Sequence, residues 1–126
     1  MIDLILGIKY ANNDEDYKRC LDYLELHGVK VLKGTELFYV TKQELGNEVI
    51  VAVAGWHVDL GGAIEPLVSE DAGYTKTLGI FMYGYLTGKG FRHISCWTSN
   101  EEWKNILIKI GFTICNENTS RLVKEV

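Results

Sequence analysis

The stretch from Ile64 to Thr98 constrains the fold more than any other part of this chain. A short β-prone run, Ile64–Val68, precedes a helical pattern that runs from Tyr74 to Gly88, and Arg92–Thr98 is again β-prone. A strand, a helix and a strand in this order normally place the two strands in parallel, joined by a right-handed crossover. The sequence therefore predicts a sheet that contains one parallel pair.

Two further helices are indicated by signals at their ends. Asn13 is followed by three acidic residues, as at a helix start, where free N–H groups and the helix dipole favour negative charge. Gly28 is a natural stop for this helix. Ser99 and Glu102 have the spacing of a capping box, and the helix after them is expected to end at Gly111.

Four further stretches carry strand patterns. Residues 2–10 alternate between apolar and other side chains, and Val49–Trp56 is almost continuously apolar, as expected of a central strand covered on both faces. The turn before this strand is expected near Asn47–Glu48, and a second turn at Gly61–Gly62. The other two stretches are the short run Leu37–Val40 and the tail Phe112–Val126, expected to form a strand pair around a turn near 116–118. The fold class is therefore α/β with a mixed (α+β) sheet.

The composition predicts a single domain over residues 1–126. Hydrophobic residues make up 47% of the chain, and the formal net charge of −4 argues against a nucleic-acid partner. Three widely spaced cysteines suit free thiols in a reducing compartment, so a cytoplasmic location is expected. Neither a signal peptide nor a membrane-spanning run is recognisable. No metal site is expected, because His93 and Cys96 fall on opposite faces of one strand.

Residues 48–112 resemble the core of the GCN5-related N-acetyltransferases (GNATs) in the order of several motifs. Val49–Trp56 resembles the long central hairpin strand of that superfamily, and Ile64–Val68 resembles the strand beside the pantetheine arm of acyl-CoA. Gly73–Leu78 resembles the turn that binds the pyrophosphate. The remaining matches are Gly90-Phe91-Arg92-His93-Ile94, and Asn100 followed by Ile110-Gly111-Phe112.

The resemblance implies a central mixed sheet with a parallel, splayed strand pair, helices on both faces, and acetyl-CoA in the opening between the parted strands. Pro66 lacks an N–H group and cannot pair fully, while a helix N-terminus suits a phosphate and Gly73 lets the backbone approach it. Asn100 is explained equally well as a helix cap. The residues that the resemblance assigns to acetyl-CoA are Leu67, Val68, Gly73, Tyr74, Thr75, Lys76 and Asn100.

Three positions depart from the superfamily pattern. Glu70 places a carboxylate where Arg or Gln usually favours the phosphate, and Thr75 adds bulk where Gly or Ala is usual. Leu107 stands where many members have a Tyr that protonates the departing thiolate. These departures bear on whether the chain still catalyses acetyl transfer.

Two side chains are candidates for the catalytic work. Glu65 stands where members of the superfamily often place a general base or a residue that holds a water molecule, and its alternative is an ordinary strand carboxylate. His57 shares a strand face with Asp59, which suggests either a His–carboxylate pair or simply a polar strand end.

Two functions follow from the resemblance and its departures. The first is an acetyl-CoA-dependent N-acetyltransferase that acts on a primary amine of a small molecule or a protein. The alternative is a GNAT-fold protein that has lost catalysis and serves as a protein-binding or phage virion or assembly module, because the chain is similar to small degenerate members encoded by phages. A protein partner or a homodimer is compatible with either function.

Overall fold

A computed structural model describes residues 7–58, 61–97, 101–109, 112–116 and 121–125. Seven strands and three helices fall in this part of the chain. In chain order they are β1 (Ile8–Tyr10), α1 (Asp14–Leu26), β2 (Leu37–Glu44), β3 (Asn47–Val58), β4 (Gly62–Ser69), α2 (Ala72–Gly88), β5 (His93–Trp97), α3 (Glu101–Lys109), β6 (Thr113–Asn116) and β7 (Arg121–Glu125).

The seven strands form one mixed sheet in the order β1-β2-β3-β4-β5-β7-β6. Strands β4 and β5 are parallel and are joined through α2, whereas the other described pairs are antiparallel. Helix α2 covers this junction because a crossover between parallel strands has to pass over one face of the sheet. The mixed sheet with one parallel pair, predicted from the sequence, is confirmed.

The alternation of side chains along β2 and β3 sends apolar groups to both faces of the sheet. Phe38 and Ala54, which are register partners, belong to a buried cluster with Leu78, Met82 and Leu86 of α2. Their neighbours in β2 and β3 point the other way and are buried against Cys20, Tyr23 and Leu24 of α1. Because the side-chain period of a strand is two, each face has its own helix to cover it. The prediction of helices on both faces is confirmed.

Helix α1 begins and ends where the sequence signals placed it. The Asn13 side chain accepts a hydrogen bond of 2.8 Å from the backbone N–H of Asp16, and the acidic first turn follows. Gly28 has a φ of +73°, the left-handed conformation that glycine adopts at little cost after a helix.

The hairpin between β2 and β3 corrects two sequence-based predictions. Strand β2 continues to Glu44 rather than ending at Val40, and its last residue pairs with Asn47. The turn is therefore Leu45–Gly46, with φ values of +52° and +83°, and not Asn47–Glu48. A two-residue loop with both φ values positive matches the right-handed twist of the two strands, so pairing continues to the turn.

Two boundaries around β4 also differ from their predictions. Gly62 lies inside β4, so the second turn ends at Gly61. Helix α2 starts at Ala72 rather than near Tyr74, because the Asp71 side chain caps the helix two residues earlier. The Arg92–Thr98 strand is described as His93–Trp97. The predicted tail strand pair is confirmed as β6 and β7, whereas residues 117 and 118 of its predicted turn lie outside the described residues.

Among the described residues, no helix combines the length and the apolar character that crossing a membrane requires.

Candidate active site

Among the described residues, strands β4 and β5 pair over three consecutive positions. Their register joins Gly62 to Ile94 and ends with Ile64 opposite Cys96, yet β4 continues through Ser69. Pro66, the second residue after the last described pair, has no N–H group to donate to a neighbouring strand. Residues 65–69 of β4 lie beyond the last described pair with β5 and are called the parted segment here.

Leu67 and Val68 lie on the parted segment of β4. On its other side this segment pairs with β3, as Leu67 with Ala54 and Val68 with Val53. Backbone groups of neighbouring residues in a strand point alternately to its two sides, so one of the two residues turns its N–H and C=O away from β3. An extended ligand can add to such an edge through main-chain hydrogen bonds.

The start of α2, with Gly73, Tyr74, Thr75 and Lys76, lies after the parted segment, as the resemblance implied. The N–H of Tyr74 donates a 3.1 Å hydrogen bond to Oδ1 of Asp71. The Thr75 hydroxyl contacts the Ser69 hydroxyl and the carbonyl of Asp71. A helix start attracts anions, and here the chain supplies its own carboxylate to it.

Glu70, the first departure from the superfamily pattern, is fastened to helix α1. Its Oε2 lies 2.7 Å from the Tyr23 hydroxyl and 3.4 Å from Nε2 of His27. The Tyr23 hydroxyl also lies 3.1 Å from the carbonyl of Val51 on β3. Burial, followed by the hydrogen bond to Glu70, raises the pKa of Tyr23, so its hydroxyl keeps its proton. The carboxylate at position 70 thus joins α1 to the end of β4.

Leu107 is part of the buried core, with 1% of its surface exposed, and carries no group that could donate a proton. Two other predicted positions, Asn100 and Asp59, lie outside the described residues.

The structure brings the two predicted catalytic residues together. His57 on β3 and Glu65 on β4 approach with Nε2 and Oε1 3.7 Å apart, and their side chains are 35% and 55% exposed. Both line a cleft of about 330 Å³ with Pro66 and with Val31 from the segment after α1. Glu65 directly follows the last described pair of β4 with β5 and precedes Pro66, so the His57–Glu65 pair lies at the start of the parted segment.

A second polar cluster lies at the end of the sheet and was not predicted. Oε1 of Glu36 accepts hydrogen bonds from the Trp56 indole, at 2.8 Å, and from the Tyr85 hydroxyl, at 2.6 Å. Burial acts to raise the pKa of Glu36, but hydrogen bonds from Tyr85, Trp56 and Tyr10 and the charge of Lys89 outweigh it. The pKa of Glu36 therefore lies below its usual range, and the carboxylate is ionised at neutral pH.

We expect Glu36→Gln to destabilise the protein by about 1 kcal/mol at pH 7, because charge-assisted hydrogen bonds are replaced by weaker ones. A carboxyl whose pKa is lowered by folding stabilises the fold above its unfolded pKa of about 4.3, and this contribution is lost as the pH falls through the folded pKa. The difference from wild type should therefore shrink below about pH 4. Urea denaturation at pH 7 and pH 3.5 measures it. The matched variant Glu44→Gln, at an exposed position, should change the free energy of unfolding by no more than about 0.5 kcal/mol at either pH.

The described thiols are poorly suited to act as nucleophiles. Cys20 and Cys96 are both buried, and burial raises the pKa of each to about 12. A thiol must ionise to attack, so neither is reactive at neutral pH. In the described ranges, no group of three or more His, Cys, Asp or Glu side chains is placed to hold a metal ion.

Comparison with known proteins identifies the fold. An N-acetyltransferase from Staphylococcus aureus Mu50 superposes with a TM-score of 0.71 at 14% identity, covering 94% of this chain and 96% of that one. The aminoglycoside 6'-N-acetyltransferase from Enterococcus faecium gives 0.66 at 13% identity, over 94% and 96% of the two chains. N-acetylglutamate synthase from Neisseria gonorrhoeae, solved with coenzyme A and L-arginine, gives 0.65 at 17% identity over 94% of this chain and 32% of that one.

The fold is thus that of the GNAT acetyltransferases, a mixed sheet with one described parallel pair. No protein-family model matches the sequence, and no curated protein is significantly similar to it.

Proposed function

We propose that this chain is an acetyl-CoA-dependent N-acetyltransferase that acts on a primary amine of a small molecule or a protein. The observation that carries the proposal is the contact between His57 and Glu65 next to Pro66, where the last described pair of β4 with β5 ends. An extended arm would lie along β4 beyond this point, and the paired side chains would accept a proton. Acetyl transfer to an ammonium acceptor requires both features.

Residues along β4 and at the start of α2 would hold the pantetheine arm and the phosphates of acetyl-CoA. The edge of β4 at Leu67 and Val68 would hold the pantetheine arm by main-chain hydrogen bonds, as an added strand does. Gly73 and exposed Lys76 at the start of α2 would face the phosphates. Asp71 occupies one helix N–H there, so we expect phosphate binding to be weaker than an uncapped helix would give.

Acetyl-CoA would supply the acetyl group as a thioester, and this chain would prepare the acceptor. An ammonium group must lose a proton before it can attack a carbonyl. Glu65 would take that proton, and the neighbouring His57 ring would hold the carboxylate in position. The free amine would form the new C–N bond and lose its second proton to solvent as the C–S bond breaks. The departing thiolate would take a proton from solvent, because Leu107 cannot supply one.

Acetyl-CoA should raise the melting temperature of the purified protein. A ligand at about ten times its dissociation constant stabilises a protein by about 1.4 kcal/mol, which for a domain of this size is a rise of about 5 °C. Differential scanning fluorimetry with 1 to 5 mM acetyl-CoA measures the shift. Its absence throughout that range would contradict the proposal.

Three variants locate the binding site. Gly73→Asp places a second carboxylate at the start of α2 and should abolish the rise in melting temperature caused by acetyl-CoA. Gly84→Asp makes the same change at an exposed position of the same helix and should leave that rise unchanged. Asp71→Asn keeps a side chain that can cap the helix but removes its charge, so we expect acetyl-CoA to bind several-fold more tightly. Equal shifts in the two Gly→Asp variants would place the ligand elsewhere.

A second candidate function is favoured by the self-capped helix and the buried Leu107. In this reading the chain keeps the GNAT fold without the chemistry and acts as a protein-binding module or as a phage virion or assembly component. It predicts a complex with another protein that survives size-exclusion chromatography without coenzyme A. A monomer that turns over acetyl-CoA would count against it.

We further propose a cytoplasmic location and one domain over residues 1–126. The acceptor is an amine of either source, and binding of a partner or a second copy is compatible with both functions. The net charge of −4 supports a role without nucleic acid.

A further inference from the structure

The cluster around Glu36 borders a second cleft, which is also lined by His57 of the proposed catalytic pair. This cleft has a volume of about 520 Å³, and its walls include Tyr10, Glu36, Trp56 and Lys89. Neither Glu65 nor the β4 edge at residues 67–69 lines it. We call the group of Glu36, Tyr10, Trp56, Tyr85 and Lys89 the Glu36 cluster.

The cluster combines a fixed negative charge with aromatic faces. Hydrogen bonds from the Trp56 indole and the Tyr85 hydroxyl orient the carboxylate and hold it between the rings. Phe38 packs against Tyr10 and Tyr85, with ring centroids 5.1 and 4.9 Å apart, which fixes the planes of those rings. A carboxylate beside electron-rich ring faces attracts an organic cation through both charge and cation–π interaction.

A cation already lies on these rings. Nζ of Lys89 is 5.4 Å from the centroid of Trp56 and 5.0 Å from that of Tyr85. Both distances are within the range of about 6 Å over which cation–π attraction acts. Lys89 caps the C-terminus of α2, and its long side chain is exposed, so it can leave the rings without disturbing the fold.

Exposed apolar side chains lie beside the charged groups of the cleft. Leu32 and Val58, which line it together with Lys33 and Thr35, are 78% and 69% exposed, and Tyr10 is 46% exposed. Apolar side chains next to a charged centre suit a ligand whose cationic head carries hydrocarbon.

We propose that the Glu36 cluster is a binding site for the alkylammonium group of a small molecule, and that Lys89 holds the site until this ligand displaces it. The ammonium group takes the place of Lys89 Nζ over Trp56 and Tyr85, and its charge is balanced by Glu36. Its hydrocarbon contacts Leu32 and Val58. The site does not depend on acetyl transfer, because a quaternary ammonium that cannot be acetylated fits it equally.

The test uses choline as the probe and 3,3-dimethylbutan-1-ol as its neutral isostere. The Trp56 indole N–H donates to Glu36, so its resonance in a ¹⁵N–¹H correlation spectrum reports on the site directly, and Trp56→Phe assigns it. We expect choline to shift this resonance saturably at constant ionic strength. The neutral isostere and sodium chloride should not. An equal response to the isostere, or no response to choline, would overturn the proposal.

Charge variants of the same protein test the roles of Glu36 and Lys89 in choline binding. Glu36→Gln should weaken choline binding by about tenfold or more, since the compensating charge is lost, while Glu44→Gln should leave it unchanged. Lys89→Met removes the competing cation and should tighten binding several-fold. Unchanged affinity in Glu36→Gln, or weaker binding in Lys89→Met, would contradict the assignment. Lys89 is exposed, so its variant tests the site even if Glu36→Gln is poorly folded.

Discussion

Glu65→Gln should lower kcat/KM for acetyl transfer to a primary amine by about 10²–10³-fold, the usual contribution of a general base. The side chain is 55% exposed and its replacement has the same shape, so the fold should be unaffected. The measurement is release of free coenzyme A thiol with a panel of primary amines, with mass spectrometry of the acetylated product.

The pH dependence separates a base from a structural carboxylate. A primary ammonium has a pKa of roughly 10, so raising the pH supplies the free amine without help from the protein. The deficit of Glu65→Gln should therefore shrink as the assay is taken from pH 7 to pH 9.5. The matched variant Glu44→Gln should behave as wild type throughout. An unchanged kcat/KM in Glu65→Gln would show that Glu65 is an ordinary strand residue and not the general base.

Gly61→Ala should destabilise the protein by about 3 kcal/mol, the sum of about 1–2 kcal/mol of backbone strain and a similar cost of steric overlap. Gly61 has a φ of +153°, and an added Cβ would overlap the carbonyl oxygen of His93 and lie 2.9 Å from the His93 Cβ. Because β4 begins at the next residue, Gly62, which pairs with Ile94, the overlap pushes apart the strands where they should join. Urea denaturation measures the loss.

Gly34→Ala is the matched control. Gly34 also has a positive φ, of +88°, but an added Cβ would meet nothing within 4 Å. It should therefore show the strain alone, about 1 kcal/mol. If the two variants lose equal stability, steric overlap with His93 does not contribute to the destabilisation of Gly61→Ala.

The fold was predictable to the extent that its signals are local. The Asn13 cap and the acidic residues after it predicted helix α1. The β–α–β order around α2 likewise predicted β4, α2 and β5. The misplaced turn at Asn47–Glu48 shows the limit. Polar character suggested it, but the positive φ of Leu45 and Gly46 decides the turn, and a Leu in that conformation has no sequence signal.

The candidate site was predictable only in part. His57 and Glu65 were chosen separately, and only the pairing of β3 with β4 brings them together. The Asp71 cap had a local signal, an Asp just before the helix, which was outweighed by the expected start near Tyr74. Glu36 had none, because its donors Trp56 and Tyr85 lie 20 and 49 residues away in the chain.

The attachment of Glu70 to α1 limits how this chain could be given the phosphate-binding residue usual in its fold. Placing Arg at position 70 would bring a positive charge towards the opening, but it would also deprive the Tyr23 hydroxyl and the His27 ring of their shared acceptor. An attempt to restore nucleotide affinity would therefore have to redesign the contact with α1 at the same time, for example by changing Tyr23 to Phe. Any substitution at position 70, natural or engineered, therefore also changes the environment of Tyr23 and His27.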